Sequence, residues 1–400
     1  MKKPKIFVAI HYMEIGGAEI SLIGLLQALD YSRVDVDLFV YRHTGELMQF
    51  IPRQVNLLSE DPKYASVEKP VLEVVKQGYL DVAFARLLAK FRFKHFRKRH
   101  PSRLPDDAGI FQYVSSSVSP LLPDINPEVE YDLAIDFIGF RDFVVDHVRA
   151  KRYLTWIHTD YSKVDSNREA DFRSWNKYDN IISISSDVTR TFTDIYSALS
   201  PKIIEIENIL SPKFVRARAE EFYATFQKDC FNLLSIGRFS PQKNFDNVPD
   251  IARRIKAIIS VPFKWYIIGY GDDTLIRQKI ADARMEDTVI ILGKKDNPYP
   301  YIKACDIYVQ PSRYEGKSVT VREAQMLYKP VVVTAYPTAP SQVEDGVTGV
   351  IVPLENKGCA CGIANIIIDK VLQKHLSDNL REREFGNIAE VNKIYKLLDE

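Results

Sequence analysis

The feature that most constrains this fold is an alternation of apolar strands and helices that runs twice along the chain. The first run begins with KIFVAI and continues into GGAEISLIGLLQALD, where leucines recur at helical spacing. The second begins near residue 229 with FNLLSIGRF and includes FKWYIIG, DIYVQPS and PVVVTA. Continuous Val- and Ile-rich strands between helices predict parallel sheets that are buried on both faces. Two such runs in 400 residues predict an α/β protein with two Rossmann-like, doubly wound domains facing across a cleft.

The domain boundaries are placed where this alternation stops and restarts. Residues 1–207 form the predicted N-terminal domain, interrupted by a mostly helical insertion at about 60–110. The polar segment 208–228, which contains Pro212, is the predicted linker, and 229–385 form the predicted C-terminal domain.

Composition excludes several classes of protein. The net charge of +1 gives no global field that favours nucleic acid. Four cysteines in 400 residues do not make a disulfide framework, and their spacing does not predict a metal site. The apolar run near the N-terminus is too short for a signal peptide, and no stretch approaches the roughly 20 apolar residues that span a bilayer. We therefore expect a cytoplasmic protein.

The stretch RYEGKSVTVREAQML contains a turn between a strand and a helix. The strand DIYVQPS ends just before it, so the turn lies at the carboxyl edge of the second sheet. There the free amides of Ser318, Val319 and Thr320 would form a helix N-terminus that can bind a diphosphate. Gly316 would allow close approach of the backbone, and Lys317 lies beside it.

Acids and cations accompany this turn. Glu315 precedes the helix and Glu323 lies about one turn into it, a spacing that suits a sugar, a diphosphate and a ribose. Taken alone, each glutamate is more simply an acid that complements a helix dipole. Arg238 and Lys243 follow another strand of the same sheet, where two cations can clamp a diphosphate; alone, they would be a solvated loop.

Glycines mark the ends of three further strands of the second sheet. Gly237 precedes Arg238, Gly269 ends FKWYIIG, and Gly293 ends TVIILG. Because the carboxyl ends of parallel strands meet at one edge, all these features converge on one crevice.

In combination, these motifs resemble the retaining family 4 glycosyltransferases of the GT-B fold, also described as glycosyl transferases group 1. The matching stretches are GGAE after the first strand, WIHTD at 156–160, IGRFSPQKNFD, and the Glu-x7-Glu pattern in EGKSVTVREA. The resemblance implies a nucleotide-sugar donor in the C-terminal domain, an acceptor in the N-terminal domain and no metal or other cofactor. It also implies that a last helix, within 386–400, crosses back to the first domain.

The resemblance assigns roles to the matching residues. Glu323 would hold the ribose, Glu315 the donor-sugar hydroxyls, and Arg238 with Lys243 the diphosphate. His158 would lie beside the reacting face of the sugar, although a lone histidine at a strand end is more often structural. A loop containing Gly16 and Gly17 would close over the donor. Where many members carry an aromatic residue and a glycine after EG, this chain has Lys317 and Ser318, which leaves the donor sugar open.

A basic and aromatic stretch, FARLLAKFRFKHFRKRHPSR at 84–103, lies in the insertion. Phenylalanines alternate there with cations, which suits an anionic membrane surface or an acceptor, whereas the alternative is a solvated helix whose phenylalanines pack on the domain. Nucleic acid is disfavoured because nothing else in the chain supports it. The basic residues concerned are Arg92, Lys94, Arg97, Lys98 and Arg99.

The sequence therefore predicts a retaining, metal-independent glycosyltransferase. It would move a sugar from a nucleotide-diphosphate sugar to a glycan or lipid-linked acceptor in the synthesis of a capsule, O-antigen or lipopolysaccharide. Its location would be cytoplasmic, or peripheral at the inner face of the cytoplasmic membrane. The alternatives are a nucleotide-sugar epimerase of the same fold and a sugar-nucleotide-binding protein without turnover. An oxidoreductase is disfavoured because the dinucleotide fingerprint is missing.

Overall fold

The computed structural model describes residues 3–101, 106–107 and 109–399. The chain divides into two compact units. The N-terminal unit consists of Met1–Leu210 with Asn387–Glu400, and the C-terminal unit of Ser211–Gly386. Each unit is built on a parallel sheet, so the predicted α/β class with two Rossmann-like domains is confirmed.

The N-terminal unit alternates strands with helices. Its strands are β1 (Lys5–Ile10), β2 (Asp35–Val40), β3 (Asn56–Leu57), β4 (Asp106–Asp107), β5 (Leu133–Ile138), β6 (Tyr153–Ile157), β7 (Val164–Asp165), β8 (Asn180–Ser183) and β9 (Ile203–Glu205). The helices in its first segment, which ends at Leu210, are α1 (Gly17–Ala28), α2 (Pro62–Ser66), α3 (Val71–Lys76), α4 (Leu80–Arg99), α5 (Gly109–Val118), α6 (Arg141–His147), α7 (Arg168–Asn176) and α8 (Ser186–Thr193). Within the described residues, seven strands form one sheet in the order β3-β2-β1-β5-β6-β8-β9, and β4 and β7 form a separate two-stranded sheet.

The C-terminal unit repeats this plan in one uninterrupted stretch of chain. Its strands are β10 (Phe231–Ile236), β11 (Phe263–Ile268), β12 (Val289–Gly293), β13 (Ile307–Gln310), β14 (Val331–Thr334) and β15 (Val350–Val352). Its helices are α9 (Pro212–Ala219), α10 (Val248–Ile258), α11 (Thr274–Ala283), α12 (Tyr299–Ala304), α13 (Val319–Met326), α14 (Asn356–Ile368) and α15 (Lys370–Arg381). The sheet order is β12-β11-β10-β13-β14-β15.

Both sheets are buried on both faces, as their apolar strands predict. In the N-terminal unit, Ile6–Ile10 of β1 are fully buried, and in the C-terminal unit Val331–Val333 of β14 are as well. Each sheet has one point where the winding direction changes, between β1 and β5 in the first and between β10 and β13 in the second. In such folds ligands bind outside the carboxyl ends of the strands at this point.

The segment predicted as a linker, 208–228, is largely part of the C-terminal unit. Ser211 caps α9 by accepting a hydrogen bond from the Phe214 amide at 3.2 Å, and Pro212 occupies the first helical turn. Proline favours that position because its missing N–H group needs no partner there, so here it marks a helix start and not a break. Arg218 near the end of α9 is buried and donates to the Asp296 carbonyl at 3.2 Å.

The last helix, α16 (Val391–Asp399), packs in the N-terminal unit. Its apolar face buries Val391, Ile394 and Leu397. The Tyr395 hydroxyl accepts a hydrogen bond from the Asp30 amide at 2.6 Å, and Asn387 just before the helix accepts one from the Leu210 amide at 3.0 Å. The chain therefore enters the N-terminal unit a second time.

Candidate functional site

The carboxyl edge of the C-terminal sheet gathers the residues that follow β10, β11, β12 and β13. Gly237 donates its amide to the Ile268 carbonyl at 3.0 Å, and Gly269 donates to the Gly293 carbonyl at 3.1 Å. A β-carbon on Gly269 would lie 2.1 Å from the Gly237 carbonyl oxygen, so no side chain fits there. Gly293 has φ +70°, a left-handed conformation that favours glycine. Gly269 thus lets the ends of β10 and β11 approach closely, whereas Gly293 is favoured by its left-handed conformation.

Lys243 and Glu315 form an ion pair at this edge. The Lys243 ammonium lies 2.7 Å from Glu315 Oε1, and the Glu315 side chain is only 6% exposed. Gln242 donates to the second carboxylate oxygen at 3.2 Å. Removing a buried carboxylate from water is costly unless it is paired and hydrogen-bonded, and here it is both. The structure therefore brings together two residues that lie 72 positions apart in the sequence.

Gln310, which the sequence analysis missed, connects Glu315 to the start of α13. Its amide donates to Glu315 Oε1 at 3.1 Å and to Ser312 Oγ at 2.7 Å, while its carbonyl oxygen accepts from Thr320 Oγ1 at 3.2 Å. The side chain is fully buried. A polar residue ending the apolar strand DIYVQ was the available signal, because a buried amide requires partners.

Arg313, also missed, joins the two loops that carry the ion pair. Its guanidinium holds the Asp246 carboxylate with contacts of 3.0 and 2.8 Å, and its amide donates to the Gln242 carbonyl at 2.8 Å. A bidentate pair of this kind fixes orientation as well as distance. The loops after β10 and β13 are therefore held to each other.

Arg238 differs from Lys243 in being exposed. Within the described part of the chain its guanidinium has no hydrogen bond or ion pair, so it is available to a ligand. Gly316 and Lys317 lie partly exposed in the turn beside Glu315.

The N-terminus of α13 differs from the prediction at one residue. Ser318 caps the helix, but its amide is not free, because it donates to Gln342 Oε1 at 2.7 Å. The Gln342 amide in turn donates to the Ser318 carbonyl at 3.0 Å. No hydrogen-bond partner for the Val319 and Thr320 amides is found in the described ranges. Two of the three predicted amides can therefore face an anion.

Glu323 lies on the buried side of α13. Tyr299 donates its hydroxyl to Glu323 Oε1 at 2.7 Å, and the carboxyl group is almost fully buried. Burial disfavours the charged form and raises the pKa of Glu323 to about 7, although the Tyr299 hydrogen bond lowers it in part. Burial thus shifts Glu323 towards its protonated form relative to an exposed glutamate. Its predicted role as the ribose ligand stays a prediction.

The carboxyl edge of the N-terminal sheet holds His158, which follows β6. Its Nε2 lies 2.7 Å from the Phe137 carbonyl oxygen, so Nε2 carries the proton. Its Nδ1 is buried and without a partner among the described residues. Desolvation lowers the pKa of His158 to about 4. The ring is therefore neutral at physiological pH and presents a lone pair that can accept a hydrogen bond.

Further polar atoms at this edge are buried without partners in the described ranges. They are Asp136 Oδ1 and the Tyr41 hydroxyl, and a β-carbon built on Gly139 would lie 2.9 Å from both. Burial raises the pKa of Asp136, as the coulombic effect of Arg141 only partly offsets it. At this edge His158 is therefore neutral, and burial shifts Asp136 towards its protonated form.

Gly16 and Gly17 begin α1 at the end of the loop after β1. Gly16 is the N-cap residue, and a β-carbon there would lie 2.2 Å from a Glu19 carboxylate oxygen. Burial raises the pKa of Glu19. The predicted role of the two glycines in closing over a donor stays a prediction.

Residues 84–99 of the basic stretch lie in α4, His100 and Pro101 follow the helix, and residues 102 and 103 lie outside the described residues. Arg97 does not serve as predicted for a surface contact, because it lies 3.3 Å from the Asp165 carboxylate and is mostly buried. Phe93 and Phe96 pack on Tyr113. These residues attach α4 to the domain. Arg92, Lys94, Lys98 and Arg99 are exposed.

Across the described residues, no group of three or more His, Cys, Asp or Glu side chains is arranged to hold a metal ion. Within the same ranges, no helix combines the length and the apolar character that crossing a membrane requires.

Known proteins resemble this chain over different lengths. Residues 218–383 match the sequence model of the family Glycosyl transferases group 1. The N-acetylgalactosamine-N,N'-diacetylbacillosaminyl-diphospho-undecaprenol 4-alpha-N-acetylgalactosaminyltransferase of Campylobacter jejuni is 28% identical over 191 residues, which are 46% of this chain and 50% of that protein. The poly(ribitol-phosphate) alpha-N-acetylglucosaminyltransferase of Staphylococcus aureus is 28% identical over 163 residues, 40% of this chain and 31% of that protein. The matches thus span a third to a half of these relatives.

A solved structure matches over the whole chain. TarM of S. aureus, as a variant in complex with fondaparinux, alpha-GlcNAc-glycerol and UDP, superposes with a TM-score of 0.67 over 99% of this chain and 100% of its own. The fold is of the GT-B type. The two chains are 14% identical, so what the GT-B likeness shows is the architecture of the two units.

Proposed function

We propose that the protein is a retaining glycosyltransferase that uses a nucleotide-diphosphate sugar as donor and needs no metal ion. The observation that carries this proposal is the edge of the C-terminal sheet, where Arg238, the Lys243–Glu315 pair and the N-terminus of α13 lie together. The match of residues 218–383 to Glycosyl transferases group 1 supports the same conclusion.

In the proposed reaction the bond between the anomeric carbon of the donor sugar and the diphosphate oxygen breaks. The bonding electrons leave with the diphosphate, the acceptor hydroxyl oxygen bonds to the anomeric carbon, and the hydroxyl proton passes to the departing diphosphate. Arg238 and Lys243 would stabilise the charge that develops on the leaving group, a role that a metal ion has in other transferases. Retention rests on the resemblance of the Glu315 to Glu323 spacing to that of retaining enzymes.

The Lys243–Glu315 pair suggests how the donor is received. Lys243 is neutralised by Glu315. A bound diphosphate would compete for the Lys243 ammonium, and Glu315 would then be free to accept hydrogen bonds from sugar hydroxyls. Gln310 and Ser312 would keep the carboxylate oriented during this exchange.

His158 favours transfer over epimerisation. An epimerase needs an acid or base that titrates near the working pH on the sugar ring. With a pKa of about 4, His158 stays neutral and is suited to accept a hydrogen bond from a hydroxyl group. We therefore propose that it orients a sugar and does not transfer a proton.

For the acceptor we propose a chemical class and not a single compound. The relatives are named for transfer to a lipid-diphospho-linked saccharide and to poly(ribitol-phosphate). We propose a glycan or lipid-linked saccharide of surface polysaccharide synthesis, and a cytoplasmic location that includes the inner face of the membrane.

The first test is a thermal-shift panel of UDP, GDP, ADP, CMP and NAD with their sugar conjugates, on the wild type and on Glu323→Ala. We expect one nucleoside diphosphate to raise the Tm of the wild type and to fail on the variant. Glu286→Ala, an exposed glutamate of the same unit, is the matched control. Stabilisation by NAD alone, or by nothing at millimolar nucleotide, would contradict the proposal.

The second test uses the identified donor with and without EDTA. Transfer to a saccharide acceptor that persists in EDTA and keeps the anomeric configuration supports the proposal. Formation of an epimer of the donor would instead establish the epimerase, and binding without any turnover the non-catalytic alternative. Loss of transfer in EDTA that Mg²⁺ restores would contradict the proposed independence of metal.

A further inference from the structure

Helix α4 has an unusual distribution of apolar side chains. Along one side, at spacings of three and four residues, five large apolar residues are exposed. Their exposed fractions are 63% for Leu80, 70% for Phe84, 53% for Leu87, 43% for Leu88 and 69% for Phe91. We call these five residues, together with Lys94 and Lys98 that continue the same side, the α4 outer face.

Between Leu80 and Phe91, the residues that α4 buries against the domain are small. Its buried side chains are Val82, Ala83, Ala85 and Ala89. A surface helix normally buries its large apolar residues and exposes its polar ones. Here the larger residues point to solvent, so burial within the described part of the chain does not account for them. Single exposed apolar side chains are ordinary, but five on one helical face mark an interaction site.

The charges on α4 are as uneven as its apolar residues. From Phe84 to Arg99 the sequence contains no Asp or Glu. Lys94 and Lys98 lie one and two turns beyond Phe91 and are exposed. The acid at the start of the helix, Asp81, is paired with Lys63 at 2.6 Å. The outer face thus passes from an apolar half, about 17 Å long at 1.5 Å per residue, to a basic half.

We propose that the α4 outer face binds the surface of an anionic lipid bilayer. An interfacial helix places large apolar side chains below the headgroups and its cations among the lipid phosphates. The outer face has both features on one side of one helix. A protein partner would have to match five apolar side chains and also present acids to Lys94 and Lys98, whereas a bilayer of anionic lipid offers both along any direction.

The rest of α4 keeps this face in place. Phe93 and Phe96 pack on Tyr113, and Arg97 pairs with Asp165, all on the side that faces the domain. Leu72 and Val75 of α3, which packs against α4, are exposed as well. The outer face is therefore held by the N-terminal unit and is exposed without rearrangement. The inference does not depend on transferase activity.

The test is flotation of the full-length chain with vesicles of phosphatidylcholine and of an equimolar mixture with phosphatidylglycerol. We expect binding to the mixed vesicles, weaker binding to phosphatidylcholine alone, and a decrease as salt is raised. Phe84→Ser combined with Phe91→Ser should weaken binding about tenfold or more, since both rings would enter the interface. Lys94→Glu combined with Lys98→Glu should abolish the preference for anionic vesicles.

The matched control is Tyr223→Ser combined with Val371→Ser, two exposed apolar residues of the C-terminal unit, which should bind as the wild type does. All four positions in the two apolar pairs are exposed, so circular dichroism and Tm should show folded proteins. Absence of wild-type binding to either vesicle would overturn the proposal, as would equal binding by the Phe84/Phe91 variant. Concentration-dependent dimerisation that the same variant abolishes would also overturn it, since the face would then be an interface between copies.

Donor-dependent stabilisation of the α4 variants separates this inference from the proposed function. Variants that lose vesicle binding should keep the wild-type thermal shift with the nucleotide. Loss of both together would show that the substitutions damage the fold. Arg152→Ala would then be the comparison, because it removes the hydrogen bond to the Leu397 carbonyl and leaves the outer face intact. This variant should be less stable than the wild type but should still bind vesicles. If that variant also lost vesicle binding, the outer face would not be the cause and the proposal would fail.

Discussion

The carboxyl edges of the two sheets share a winding topology but differ in how their polar groups are satisfied. In the C-terminal unit, the Glu315 carboxylate is bonded by Lys243, Gln310, Ser312 and Gln242. In the N-terminal unit, His158 Nδ1 has no partner among the described residues. A buried charge without a partner is far more costly than a buried neutral acceptor. The buried Glu315 carboxylate therefore needs its partners in place, whereas the neutral His158 Nδ1 can remain buried without one.

The largest effect is expected from Lys243→Ala, which breaks the charged edge. Transfer should fall about 10²–10³-fold in kcat, the range for losing one group that stabilises a developing anion. The variant also leaves Glu315 buried with neutral donors only, so its Tm should fall. Lys303→Ala is the control, because Lys303 forms an exposed pair with Glu220 in the same unit. Equal activity of the two variants would remove Lys243 from the site.

Glu323→Gln tests the buried carboxyl group of the charged unit. The folded chain holds the Glu323 proton between about pH 4.5 and 7, where the unfolded chain has lost it, so stability falls as pH rises through this window. Above the window the variant should be more stable than the wild type by up to roughly 3 kcal/mol, and at acid pH the two should agree. Denaturant unfolding at several pH values measures this. Glu286→Gln should follow the wild type throughout, and a Glu323→Gln curve parallel to the wild type would refute the raised pKa.

His158→Gln tests the neutral edge and should give the opposite slope. The unfolded chain binds a proton at His158 between about pH 6.5 and 4 while the folded chain does not, so the wild type loses stability as pH falls. Over this pH range the free energy of unfolding of the variant should fall by about 1–2 kcal/mol less than that of the wild type. This figure is smaller than the full pKa shift implies, because His158 is partly exposed. His375→Gln, on exposed α15, is the control. A pH dependence that His158→Gln leaves unchanged would contradict the assignment.

The smallest effect is expected from removing a serine N-cap, and each unit offers one such cap for comparison. Ser185→Ala removes the hydrogen bond to the Val188 amide at 3.3 Å at α8, and Ser318→Ala removes the one to the Val321 amide at 3.5 Å at α13. Each should cost about 0.5–2 kcal/mol of unfolding free energy. We expect the smaller loss at Ser318, where the contact is longer and Gln342 also holds the backbone. A larger loss at Ser318 would mean that its cap is stronger than the one at Ser185 and would contradict the expected order.

The sequence was sufficient for the sheets and for the gathering of charges. Apolar strands and their order of appearance predict parallel sheets, and the carboxyl ends of such strands meet at one edge. The approach of Lys243 to Glu315 follows from that rule. Pro212 was misinterpreted, because proline marks both linkers and helix starts, and only the cap at Ser211 distinguishes them.

The partners of individual side chains could not be predicted. Gln310 reaches Glu315 and Thr320 through rotamers that depend on the completed turn. Arg97 was assigned to a surface contact because it lies in the basic stretch 84–103, and the sequence does not show its contact with Asp165, 68 residues further along the chain. The exposure of the large apolar residues of α4 was not predicted either, since a pattern of apolar residues does not say which side of a helix faces the core.

The return of α16 to the N-terminal unit has a consequence for how the protein is made. The C-terminal unit is a single stretch and can fold as soon as it leaves the ribosome, whereas the N-terminal unit lacks Val391, Ile394 and Leu397 until those residues have been translated. The packing of residues 1–210 is therefore completed after that of the C-terminal unit, although residues 1–210 are translated before it. During that interval the surface that α16 covers is exposed to chaperones and proteases, so nascent chains stalled before residue 391 should be degraded from their older half.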